Sequence, residues 1–255
     1  MKNQDMIDKY IELCKEEKTI NEIAEALGVT RRTITNYKKV TNIHPKSDKR
    51  KPKLDSMYFN EIDTEEKAYI LGFIFADGYI ESNERTLTIN INKRDIDLLE
   101  KVKKELKCEN EIRNSSTKDC LRLHLSSIEL VNDVSRFGIV RNKTFSLKFP
   151  KLRDELYRHF LRGYFDGDGS IGKHQCTLVV GSSDFLNELT SFIKNEFNQE
   201  VYTQKMGNYF RMVFNRKNHE IIKWMYKDSN IYLERKHNSY IKNWHSYTER
   251  VRSKR

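Results

Sequence analysis

Two stretches of this 255-residue chain repeat one unusual arrangement: Ala68-Tyr69-Ile70-Leu71-Gly72-Phe73-Ile74-Phe75-Ala76-Asp77-Gly78 and His159-Phe160-Leu161-Arg162-Gly163-Tyr164-Phe165-Asp166-Gly167-Asp168-Gly169. Each is an apolar run of helical length with small residues four apart, Gly72/Ala76 and Gly163/Gly167, and each stops at Asp-Gly. Small residues at that spacing let two helix backbones approach closely, so the pair predicts two helices packed along a tight seam. Stopping a helix calls for Gly and gives no reason for Asp. A carboxylate there sits at the negative end of the macrodipole. Asp77 and Asp168, brought together by paired helices, repel each other unless a cation lies between them. In sequence terms that is a metal site.

The order of elements after each motif recurs, an internal repeat of about 90 residues. In the first copy strands are expected at 79–81 and 87–92, a helix at 95–106, strands at 111–116 and 121–125, and a helix at 128–137. The second copy has strands at 170–172 and 177–181, a helix at 185–197, strands at 201–205 and 209–215, and a helix at 219–227. Asp77 precedes Arg122 by 45 residues and Asp168 precedes Arg211 by 43. Alternation along the strands separates two faces. Leu87, Ile89 and Ile91 oppose Thr88, Asn90 and Asn92; Leu121, Leu123 and Leu125 oppose Arg122 and His124; Phe210, Met212 and Phe214 oppose Tyr209, Arg211 and Asn215. The apolar sides are expected against helices, and the polar sides suit phosphates and base edges.

Ahead of the repeats, apolar positions in 4–17 have helical spacing. Thr19, with Glu22 three residues on, predicts a capped helix over 20–27. Gly28 marks a turn, and Thr30 predicts a cap for a third helix, about 31–38. The segment Ile20–Ile34 resembles the helix-turn-helix pattern, with Ala24 at the helix crossing and Val29 and Ile34 packed behind. Its groove-facing side chains are then Arg31, Arg32, Thr33, Thr35, Asn36 and Lys38. Domains are expected at 1–40 (helix-turn-helix), 41–62 (a basic linker holding Pro45 and Pro52), 63–148 and 149–240 (the two repeats) and 241–255 (a basic tail).

A formal charge of +10 points to a polyanionic partner. Cys14, Cys108, Cys120 and Cys176 form no CxxC pair and no zinc-spaced cluster, and fit reduced residues of an intracellular protein. The polar N-terminus has no signal-peptide apolar stretch and no run reaches membrane-spanning length. A soluble, cytoplasmic protein is expected.

The paired motifs resemble those of the LAGLIDADG homing endonucleases of the two-motif, single-chain type, across roughly residues 63–240. The matched segments are Ile70–Gly78 and Leu161–Gly169. The resemblance implies an α+β fold of two pseudo-symmetric αββαββα halves, motif helices at their interface, and two antiparallel sheets forming a saddle for double-stranded DNA. It implies that the eighth-position acids, Asp77 and Asp168, are catalytic and bind Mg²⁺, with Mn²⁺ as a substitute. The family's earlier acid survives as Asp166 but is Phe75 in the first copy. Lys143, 66 residues after Asp77, and Lys236, 68 after Asp168, match the lysine that family members place in each half. Thr88, Asn90, Asn92, Arg122, His124 and Arg211, on the polar strand faces, are the candidate DNA contacts of the sheets, and Gln175, with Arg122 and Arg211, is a candidate for water or phosphate. The expected activity is site-specific hydrolysis of both strands by a monomer, with no membrane association and no small-molecule substrate. A non-cleaving DNA-binding regulator and an RNA-splicing cofactor on the same scaffold are the alternatives.

Overall fold

The structure, a computed structural model, describes residues 2–46 and 52–245. The chain divides into two units, Met1–Pro52 and Lys53–Arg255.

The first unit holds α1 (Lys2–Lys15), α2 (Ile20–Leu27) and α3 (Arg31–Thr41). Thr19 and Glu22 form the reciprocal capping box, satisfying two N–H groups that the helix itself leaves unpaired. Gly28 ends α2 at φ 60°, a left-handed conformation in which a side chain is strained. Thr30 caps α3 by accepting from the Thr33 amide. Tyr10, Ile23, Ile34 and Tyr37 form the core, and the Tyr10 hydroxyl donates to the Ile43 carbonyl at 2.6 Å.

The second unit contains the duplication. Its first half runs α4 (Glu65–Asp77), β1 (Gly78–Ile80), β2 (Thr86–Asn92), α5 (Ile96–Glu105), β3 (Ile112–Asn114), β4 (Cys120–Ser126) and α6 (Ile128–Arg136). The second half repeats the order with α7 (Tyr157–Asp168), β5 (Gly169–Ile171), β6 (Cys176–Val180), α8 (Ser183–Phe197), β7 (Tyr202–Met206), β8 (Tyr209–Phe214) and α9 (His219–Tyr226). The sheets have strand orders β1-β2-β4-β3 and β5-β6-β8-β7, antiparallel throughout. Registers match as well as order: Arg122 lies opposite Asn90 on β2, and Arg211 lies opposite Val179 on β6, each one residue past the partner of the first strand's glycine. One apolar core joins both halves.

The seam between α4 and α7 explains the small residues. A Cβ on Gly72 would stand 2.0 Å from the Phe160 carbonyl oxygen, and one on Gly163 would stand 2.0 Å from that of Tyr69. Both obstacles are backbone, so only hydrogen fits.

The glycines after the acids end their helices without a left-handed turn. Gly78 and Gly169 are extended, at φ −92° and −96°. They are required by space: a Cβ would meet the Ile74 carbonyl oxygen at 2.8 Å or that of Phe165 at 2.5 Å. The chain leaves each helix directly into the first strand of its sheet.

Two expected boundaries need correction. Of the linker expected at 41–62, residues 47–51 lie outside the described residues. Lys53 and Asp55 hydrogen-bond to Glu109 and Leu106, and Tyr58, Phe59 and Ile62 are buried in the core. Their apolar side chains make this stretch part of the second unit. The tail expected from 241 begins instead with a π-helical turn, Ile241–His245, after α10 (Glu234–Tyr240). Trp244 is buried there and donates from Nε1 to the Gly172 carbonyl at 2.8 Å; residues 246–255 lie outside the described residues. All four cysteines are free, and no described helix is long and apolar enough to cross a membrane.

Candidate functional site

The two motif helices deliver Asp77 and Asp168 to the same end of the seam, each half-buried at a helix C-terminus. At this end Gly167 packs so tightly on Ala76 that an added Cβ would overlap it at 2.2 Å and would stand 3.2 Å from Asp77 Oδ2. The Asp77 carboxylate therefore lies against the end of the partner helix. Burial, and next the charge of Asp168, push the Asp77 carboxyl up to about 7. Burial raises Asp168 to about 6, with the Lys143 and Lys236 ammonium groups pulling the other way.

A lysine stands at the end of each motif helix. Lys143 is buried and donates to the Gly78 carbonyl at 2.5 Å, just beyond α4. Lys236, also buried, donates to the carbonyls of Phe165 at 2.9 Å, Gly167 at 3.2 Å and Asp166, at the end of α7. Each lysine thus sits at the C-terminus of its own half's motif helix, Lys143 on the first carbonyl beyond α4 and Lys236 on three carbonyls of the last turn of α7, and complements the helix dipole. Burial lowers both: Lys143 below its usual range and Lys236 to about 8, where the carboxylates partly restore the charged form.

A cleft of about 380 Å³ opens beside Asp77, lined also by Asn90, Asn92, Asp95, Gly167 and Arg235. Arg235 spans both Asp95 oxygens at 2.9 and 3.0 Å. Among the described residues no group of three or more His, Cys, Asp or Glu side chains is placed to enclose a metal. The donors present are two carboxylates that repel each other and helix-end carbonyls. That is a hard oxygen set, sparse enough to suit an ion that keeps waters and shares a substrate's phosphates.

The polar faces of the sheets hold most of the other expected contacts. Arg122, His124 and Asn90 are half-buried on the open face of the first sheet, and Arg211 occupies the matching place on the second. The Asn92 side chain accepts from the Arg94 amide, capping the turn after β2. Thr88 departs from expectation: it is fully buried, with its hydroxyl bonded to Glu81 Oε1 at 2.8 Å and His124 Nδ1 at 3.0 Å, and presents nothing outward. Glu81, two residues beyond Tyr79 on the same face, was not anticipated and covers it. Gln175 is exposed in the β5–β6 turn. In the first unit Arg31, Arg32, Thr35 and Asn36 are exposed on α3, and Thr33 and Lys38 are partly covered.

A buried polar network inside α7 was also missed. Arg162 has no exposed surface and donates to the Met225 and Ile231 carbonyls at 2.8 and 2.9 Å and to Glu65 Oε1 at 2.6 Å. One turn on, Asp166 accepts from Tyr69 at 2.8 Å, Tyr226 at 2.6 Å and the Leu233 amide at 2.7 Å. A charged pair at i and i+4 in an apolar helix was the available signal.

Duplicated halves, a shared seam and twin acids at its end are the features of this chain to set beside known proteins. Residues 155–222 match the family model described as a LAGLIDADG-like domain. Two curated relatives are both replication factor C small subunits. That of Methanocaldococcus jannaschii is 35% identical over 139 residues, 51% of this chain and 7% of the relative. That of Thermococcus kodakarensis is 25% identical over 125 residues, 47% of this chain and 14% of the relative. The chain therefore spans only a small part of the length of the relatives it matches. Among solved structures, the LAGLIDADG meganuclease I-AabMI, bound to uncleaved DNA, is similar in fold. Its TM-score is 0.51 at 15% identity, over 75% of this chain and 92% of that one.

Proposed function

We propose that this chain is a site-specific endonuclease that binds double-stranded DNA across its two sheets and hydrolyses both strands at the end of the α4–α7 seam. The observation that carries the reading is the meeting of Asp77 and Asp168, half-buried and mutually repelling, between two buried lysines. Paired carboxylates cost stability wherever no cation shares them, and nothing about packing two helices requires them. The meganuclease likeness and the net charge of +10 point the same way.

Asp77 and Asp168 would hold Mg²⁺, or Mn²⁺ in its place, with backbone carbonyls at the helix ends and the phosphate completing the shell. Bound there, the ion supplies charge neutralisation at phosphorus oxygens and a nucleophilic water at neutral pH. The chain does the rest. Lys143 and Lys236 fix the helix ends and add positive charge where negative charge develops. Asn90, Asn92, Arg122, His124 and Arg211 hold phosphates and base edges, Gln175 approaches water or phosphate, and Glu81 with buried Thr88 shapes the first sheet's surface. With one acid serving each strand, a monomer makes a double-strand break. The α3 side chains Arg31, Arg32, Thr33, Thr35, Asn36 and Lys38 add a major-groove contact of helix-turn-helix type.

The test is incubation with a randomised DNA library and Mg²⁺, followed by sequencing of cut ends. Recurrent double-strand ends at one sequence are expected. Tight binding without ends in Mg²⁺ or Mn²⁺ would instead make the chain a non-cutting DNA-binding regulator.

A further inference from the structure

We propose that Asp166 is a positioning residue for Lys236. Its carboxylate gathers Tyr69, Tyr226 and the Leu233 amide, and so sets the start of α10 where the Lys236 ammonium reaches the end of α7. This rests on the endonuclease reading above.

Asp166 is 1% exposed, and three donors converge on it: Tyr69 and the Leu233 amide on Oδ2, Tyr226 on Oδ1. An acceptor-only group is what three converging donors require. Leu233 immediately precedes α10, and the Lys236 amide donates back to the Leu233 carbonyl at 2.9 Å. Fixing Leu233 therefore fixes the first turn that carries the lysine. The segment leading into that turn is held as well. Arg162 grips the carbonyls of Met225 and Ile231, and Glu65, reaching from α4, accepts from the Asn230 amide at 2.8 Å. Tyr69 also comes from α4, so the arrangement ties the lysine's approach to the seam between the halves.

The first half does this differently. Phe75 and Leu71 stand at the places of Asp166 and Arg162, and Lys143 reaches its helix end from a short 3-10 turn, Lys143–Phe145. Asp166 is thus a device of one half only, and disturbing it should show in one strand. A residue that merely held the core together would affect both.

The experiment compares wild type, Asp166→Asn and Tyr226→Phe on a target carrying a different label on each strand. Expected in the variants is a fall of about tenfold in the nicking rate of one strand, with the other strand and target affinity within about twofold. Acylation of Lys236 by a small amine-reactive reagent, followed by mass spectrometry with Lys143 as internal reference, gives a readout independent of cutting. It should rise several-fold in the variants. Equal slowing of both strands, or unchanged Lys236 reactivity, would overturn the proposal. Should Asp166→Asn fail to fold, Tyr226→Phe, which removes one donor, decides the outcome. A wild type that cuts no DNA would sink the endonuclease reading while the acylation result still decides where Lys236 is held.

Discussion

Asp77 and Asp168 make the metal-free protein's stability depend on pH. A free Asp side chain releases its proton near 3.8, whereas native Asp77 keeps it to about 7 and Asp168 to about 6. Between about pH 4 and 7 the native state binds more protons than the unfolded chain, so stability falls as pH rises through that window and then levels. Asp77→Asn removes a charge that burial, and next the neighbouring Asp168, disfavours. In chelator at pH 8 it should be more stable than wild type by about 2 kcal/mol, allowing for partial solvent exposure, with little difference at pH 4. Urea denaturation at the two pH values measures this, and a variant destabilised at pH 8 would contradict a disfavoured charge at Asp77. The twin acids were readable in the sequence because Asp serves no purpose in ending a helix. The burial of Thr88 was not, because strand alternation assigns a face without saying that Glu81 and His124 will close over it.

The motif helices are held by contact too close for any side chain. Gly163→Ala would place a methyl 2.0 Å from the Tyr69 carbonyl oxygen, and backbone cannot turn aside as a flexible side chain does. A loss of about 3 kcal/mol is expected, seen as a thermal midpoint lower by about 6–12 °C. An unchanged midpoint would mean the helices are not packed as described. The element order and both sheets followed from periodicity and from the repeat, since each strand's alternation points one face at the helices. What periodicity missed depends on contacts distant in sequence. Tyr58 and Phe59 lie among charged and polar residues that read as a tether, yet find the core of the first repeat. Lys143 and Lys236 look like two more surface lysines of a basic chain, and only the fold brings them to the helix ends. Arg162 and Asp166 are charges in an apolar run, but their partners at 225–233 lie 60 or more residues away.

The whole chain joins two modules with separate cores, and each should contribute its own share of DNA affinity. Replacing Arg31 and Arg32 by Ala leaves the core of the first unit untouched, since both are exposed on α3. If each neutralises one phosphate, the double variant should bind target more weakly and reduce the dependence of log affinity on log salt by about two. An unchanged salt dependence, measured by fluorescence anisotropy, would remove the helix-turn-helix from the target complex. The central claim is that the two acids at the seam cut DNA together. Its most direct test is cleavage of the selected target in Mg²⁺ by wild type, Asp77→Asn and Asp168→Asn, with binding measured in parallel. Both variants should bind as wild type does and make no double-strand break; a full double-strand break by either one would contradict the account.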